Sequence, residues 1–184
     1  MKRKLLLAVV SLLVLTAGYF IYAGTRLRVA AIIWHWRHGN VVRVADYDVP
    51  VPDRWVAMNH GDENTSLLID TRVEKTKDPL SNSNYIDISL IPHFPGDVDL
   101  WRSSREQWLR GRGMKAIEEN QIQTVDQTVA CLSGNVFQDL YPVLNTNAIT
   151  VECMSTGRLS LIFTGNQVGR QEFYTIISGI RKRK

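Results

Sequence analysis

The sequence predicts an α+β domain: an antiparallel β-sheet flanked by two helices, sandwich-like in the α/β/α sense, preceded by one N-terminal transmembrane helix. Three observations predict it. Residues 5–24 (LLLAVVSLLVLTAGYFIYAG) run for twenty positions without a charge. Beyond Val41, short alternating segments separated by turn residues recur in runs, as antiparallel strands do. Only two segments there carry helical periodicity, too few for the repeated crossovers that a parallel sheet needs.

The apolar run is read as a transmembrane anchor over residues 1–24. At about 1.5 Å of rise per residue, a helix of this length matches the roughly 30 Å hydrocarbon core of a bilayer. Lys2-Arg3-Lys4 ahead of it also fit the start of a cleaved signal peptide. A signal's apolar region is usually only about 7–15 residues long, and the best small-x-small site, Ile21-Tyr22-Ala23, is a poor one. Length therefore favours a retained signal-anchor, with cleavage as the alternative. Three basic residues on one side are balanced by Arg26, Arg28 and Arg37 on the other, so the positive-inside rule sets no orientation. A basic-then-apolar start points to a cytoplasmic N-terminus and an extracytoplasmic, periplasmic body. The lipid bilayer is thus the first expected partner, through residues 5–24.

Residues 25–40 form a juxtamembrane segment in which Trp34 and Trp36 stand among Arg26, Arg28 and Arg37. Tryptophan with basic side chains is the composition of a membrane interface, and a short interfacial continuation of the helix is expected. His35 and His38 would share one helical face, but His60 and His93 are far away in sequence and no third ligand stands near. No metal and no cofactor are expected.

Residues 41–184 are enough for one domain with its own core. Alternation predicts a strand near Val41–Val49, ended by Pro50 and Pro52, and another near Trp55–Met58. Leu67–Val73 and Tyr85–Ile91 follow as strands on either side of the turn-rich KTKDPLSNSN. Asp97 is the N-cap of a helix running to about Arg110, closed by Gly111 and Gly113. Four more strands are expected near Gln121–Val125, Gln127–Leu132, Ala148–Met154 and Leu159–Thr164, with Thr156-Gly157-Arg158 as a tight turn. A last helix, Arg170–Ile180, carries Phe173, Ile176, Ile177 and Ile180 on one stripe.

The formal charge of +4 is unevenly placed. Residues 1–40 hold six Lys/Arg and no Asp/Glu, and the tail Arg181-Lys182-Arg183-Lys184 holds four more. The body between carries twelve basic and eighteen acidic groups, a net of −6. A phosphate-tracking groove needs clustered cations on the domain itself, so nucleic acid is not an expected partner. The tail reads as a solvated end, or as a lipid contact if it faces the cytoplasm.

Cys131 and Cys153 lie in two expected strands, on faces that alternation allows to meet. In an exported body a disulfide between them, 22 residues apart, would stabilise the fold by roughly 3 kcal/mol. Two buried thiols are the alternative. Trp101 and Trp108 are seven apart on the expected helix and are read first as a core stripe, second as an aromatic ligand platform. Arg102, Arg105, Arg110 and Arg112 make up the solvated remainder. No nucleophile elbow, P-loop, zinc-protease motif or dinucleotide fingerprint is present.

The segment Val51-Pro52-Asp53-Arg54-Trp55 resembles the P-x-G-W opening strand of the PsbP-like family, with Arg54 where the family has glycine. The closing segment Phe173 to Ile180 is similar to that family's final elements, with Ser178-Gly179 in place of Ser-Phe. The resemblance spans roughly 41–181 and implies a small exported α/β/α sandwich, often membrane-attached and mostly non-enzymatic. It transfers no functional residues. The function expected is a membrane-anchored, extracytoplasmic binding or accessory domain, with an envelope protein as partner. The alternatives are a hydrolase with dispersed residues, drawn from His60, His93 and Asp62-Glu63, and a secreted small-ligand carrier released by signal cleavage.

Overall fold

The computed structural model describes residues 18, 28–58, 62–72, 84–94, 97–111, 114, 116–124, 126–135 and 148–183. The apolar run 5–24 lies outside these apart from Gly18, as do Arg26, His60, Arg112 and most of KTKDPLSNSN. Helix α1 covers residues 28–38. It is followed by β1 (Val41–Val44), β2 (Tyr47–Pro50), β3 (Trp55–Met58), β4 (Thr65–Asp70) and β5 (Tyr85–Leu90). After α2 (Val98–Gly111) come β6 (Glu118–Gln123), β7 (Thr128–Asn135), β8 (Ile149–Ser155) and β9 (Leu159–Gly165), and the chain closes with α3 (Gln167–Ser178) and β10 (Arg181–Lys182).

The fold is α+β with wholly antiparallel sheets. Seven strands pair in the order β3-β4-β5-β9-β8-β7-β6, so two meanders join where β5 meets β9. β1, β2 and β10 make a second, smaller sheet. Alternation assigns the two faces of the large sheet to different layers. Val129, Cys131, Val151, Cys153, Leu161 and Phe163 point into the main core beneath α3 and the β1–β2 hairpin. Ala130, Leu132 and Met154 point the other way, towards α2 and its Val98, Trp101 and Leu109. In the main core Phe163 stacks on Phe173 with centroids 5.4 Å apart, and each such side chain contributes roughly 1.5–3 kcal/mol by burial.

Several boundaries differ from the sequence expectation, each for a physical reason. The strand expected over Val41–Val49 is a hairpin, because Ala45 takes a left-handed φ of 49° and Val44 pairs with Tyr47. Alanine is not a usual residue for the positive-φ position of such a turn, although Asp46 suits a turn. Tertiary bonds hold it: Ala45 N donates to Glu63 O at 2.8 Å, and Arg183 N donates to Asp46 O at 2.8 Å. The basic tail is accordingly not a free solvated end up to residue 183, since Arg181 and Lys182 pair with Asp48 and Tyr47 of β2. Helix α3 starts three residues before the expected Arg170, because Asn166 caps it by accepting from Gly169 N at 2.9 Å. Helix α1 falls where a helical continuation was expected within residues 25–40 and packs on the body through Trp34, so three helices stand among the described residues.

The two sulfurs of Cys131 and Cys153 are 2.10 Å apart and form a disulfide. The pair sits directly opposite in the β7–β8 register and is wholly buried under α3.

A partly buried ionic network links α3 to one edge of the sheet. Asp70 is almost completely buried and accepts from Arg72 Nε at 2.8 Å and from Asn84 Nδ2 at 2.8 Å. Arg72 also pairs with Glu172 of α3, which accepts from the Trp55 indole at 2.8 Å. These carboxylates raise the Arg72 guanidinium above its ordinary range, against the opposing effect of burial. On the hairpin, the Tyr47 hydroxyl donates to Gly157 O at 2.8 Å; a β-carbon at Gly157 would collide with that hydroxyl, so the turn needs glycine there.

Two outcomes follow from this packing. Arg72→Met leaves the Asp70 carboxylate buried without its cation, and we expect a loss of roughly 3 kcal/mol in urea unfolding. Burial, then the Asp46 carboxylate, raise the Tyr47 phenol above its ordinary 10.0. The unfolded chain ionises first, so this group's stabilisation is present below pH 10 and is lost as pH rises towards the raised value. Tyr47→Phe should therefore flatten the loss of stability measured above that pH, while costing about 1 kcal/mol at neutral pH through the missing hydrogen bond.

Candidate functional site

Helix α1 divides into two faces. Ala31, Trp34, His35 and His38 recur at i, i+3, i+4 and i+7 and turn towards the body: Ala31 is buried and Trp34 packs on the main core. Val29, Ile32, Ile33 and Trp36 repeat the same spacing on the opposite side and are 38, 69, 45 and 83 % exposed.

His35 fastens the helix. Its Nε2 lies 3.1 Å from Pro52 O and 3.0 Å from Trp55 O, so this nitrogen carries the proton and donates. Its Nδ1 faces Gly39 O at 3.1 Å and Asn40 Oδ1 at 3.0 Å. Gly39, with φ 71°, terminates the helix in the left-handed conformation, which lets the chain turn into β1. Trp34 stacks on His38 with ring centroids 5.1 Å apart.

Between α1 and the hairpin runs a groove of about 680 Å³, lined by Trp34, His38, Val41, Val42, Arg43, Asp48 and Ala57. Its walls are mixed, with Trp34, Val41, Val42 and Ala57 beside polar side chains. Its polar side chains are His38, Arg43 and Asp48, the last two opposite each other across the β1–β2 ladder. Asp48 Oδ1 is buried without a hydrogen-bond partner, and Arg183 Nε approaches it to 3.8 Å. A groove that sets an indole and aliphatic side chains beside a guanidinium and a carboxylate can orient an amphipathic ligand.

The other residues singled out from sequence lie elsewhere. Trp101 is half-buried against Ala130, Met154 and Leu132. Trp108 lies at the rim of α2, 37 % exposed, with the Arg105 guanidinium 3.9 Å above its ring. The packed stripe of α2 runs through Val98, Trp101, Arg105 and Leu109, which leaves Trp108 to one side of its centre. Arg105 is not merely solvated, since it binds Glu152 of β8 through Nε at 2.5 Å and Nη2 at 3.0 Å. Arg28 and Arg37 are exposed on α1, and His93 is exposed ahead of α2. Asp62 is used locally, accepting from Asn64 N at 2.9 Å. Among the described residues, no three His, Cys, Asp or Glu side chains gather as a metal site, and no helix is long and apolar enough to cross a membrane.

Sequence reasoning placed Trp34 and Trp36 together at a membrane interface, whereas they sit on opposite faces of α1. The 3.6-residue period could have separated them. Nothing local marks His35 as a clasp, because its acceptors come from residues 52 and 55. Neither protein-family models nor curated proteins match the chain.

His35→Ala removes the hydrogen bonds from α1 to the carbonyls of Pro52 and Trp55. We expect faster amide hydrogen exchange across residues 28–38 and a loss of roughly 1–2 kcal/mol, while exchange in β8 and β9 stays slow.

Proposed function

We propose that this chain is a membrane-anchored, extracytoplasmic accessory domain that acts by binding, with an envelope protein among its partners. The observation that carries the proposal is the buried Cys131–Cys153 disulfide, a bond that persists in oxidising compartments. The uncharged run 5–24 supports the anchor, and the groove beside α1 supports binding, its walls being suited to an apolar or amphipathic surface. A PsbP-like relationship, through Val51–Trp55 and Phe173–Ile180, belongs to the same proposal. The groove also favours a second reading, a small-ligand carrier released by cleavage after Ala23; a mature N-terminus beyond that residue would establish it.

Protease treatment of intact spheroplasts tests the proposal, following a C-terminal epitope placed after Lys184 and a cytoplasmic control protein. We expect the epitope to disappear while the control survives, with both cysteines resisting alkylation until reductant and denaturant are added. An epitope that survives until detergent is added, with both thiols free, would place the body in the cytoplasm and sink the proposal.

A further inference from the structure

A helix that packs on a protein through one face ordinarily gives its other face to water, and that face is polar. In α1 it is not. The outward side chains are Val29, Ile32, Ile33 and Trp36, and the two most open are Ile32 at 69 % and Trp36 at 83 % exposed. Leaving such a stripe in water forgoes the burial free energy that organises the rest of the fold.

Three observations identify what covers it. Only residues 25–27 separate the uncharged run 5–24 from residue 28, the first described residue of α1, so an anchored chain keeps this helix near the membrane surface. At about 100° per residue, Arg28 and Arg37 fall roughly 90° to either side of the stripe's centre, where their long side chains can reach phosphates beside a helix lying flat. Trp36, on the stripe itself, is the residue type that settles at headgroup depth. A flat-lying helix shows this arrangement, with apolar side chains below, cations at both rims and the polar partner above.

We propose that the stripe Val29-Ile32-Ile33-Trp36 lies in the headgroup and upper acyl region of a phospholipid bilayer. The inference rests on the membrane-anchored reading and deepens it. His35 binds the opposite face of α1 to the carbonyls of Pro52 and Trp55, so the helix is a bracket rather than a tether. The domain is therefore held in one orientation, with the groove lined by Trp34, Arg43 and Asp48 at a fixed height beside the lipid.

The full chain is reconstituted into phosphatidylcholine/phosphatidylglycerol vesicles with single added cysteines, Ile32→Cys or Trp36→Cys, each carrying an environment-sensitive fluorophore. Val168→Cys, an exposed position on α3, serves as the control. Lipids bearing a nitroxide high on the acyl chain should quench the labels at 32 and 36 at least about twofold and leave the label at 168 unchanged. Labels at 32 and 36 that stay water-like on protein that floats with the vesicles would overturn the inference and leave the anchor standing. Labels that are shielded yet unquenched, with cross-linking between copies, would overturn it in favour of a second copy of the chain. Protein that does not float with vesicles would overturn the anchored reading and the inference together.

Discussion

The arrangement of this domain depends on the burial of one side chain, Trp55, with all of its polar groups satisfied. The ring is completely enclosed in the main core. Its amide donates to Pro52 O at 2.8 Å, its carbonyl accepts from His35 of α1, and its indole N–H donates to Glu172 of α3. Its register partner on β4 is Asp70, which holds the Arg72 that binds Glu172. Two helices and an edge strand are thus referred to one residue. A buried indole can play this part because its large apolar area favours enclosure while its single donor demands a partner at a defined place.

The same economy appears on the other side of Asp70. Asn84 donates to Asp70 through Nδ2 and accepts from Asn166 N through Oδ1, just where Asn166 caps α3. The helix start, the sheet edge and the ion cluster are therefore one connected polar network. The buried members, Asp70 and Asn84, would be costly alone, and their mutual satisfaction helps to fix where α3 lies. The disulfide works differently. It joins neighbouring strands that the ladder already pairs, and so chiefly restricts the unfolded chain.

Legibility in the sequence followed how local each cause was. Helix α2 was readable from Asp97, whose Oδ1 accepts from Leu100 N at 2.9 Å, because a cap and its target are three residues apart. The strands of the disulfide were readable from alternation, which placed Cys131 and Cys153 on faces that could meet. The hairpin at Ala45-Asp46 was not, since a lone Asp after an alanine is a weak turn signal and the turn is held by Glu63 and Arg183. Arg105 looked like surface charge because its partner, Glu152, is 47 residues away. The Asp70–Arg72–Glu172 cluster, likewise, has its members divided between β4, the residues just after it and α3.

What the sequence by itself determined was the class of the chain: an uncharged run of membrane length, an acidic α+β body, strands by alternation and helices by period and cap. These depend on composition and on neighbours within a few residues. What only the tertiary structure decided was which face of each element meets which layer. The split of α1 into a body face with His35 and an outward apolar face, the capture of the basic tail by β2, and the groove between them all arise from contacts between segments distant in the chain. A local pattern shows that a face is apolar, but only the packed fold shows whether another part of the same chain covers it.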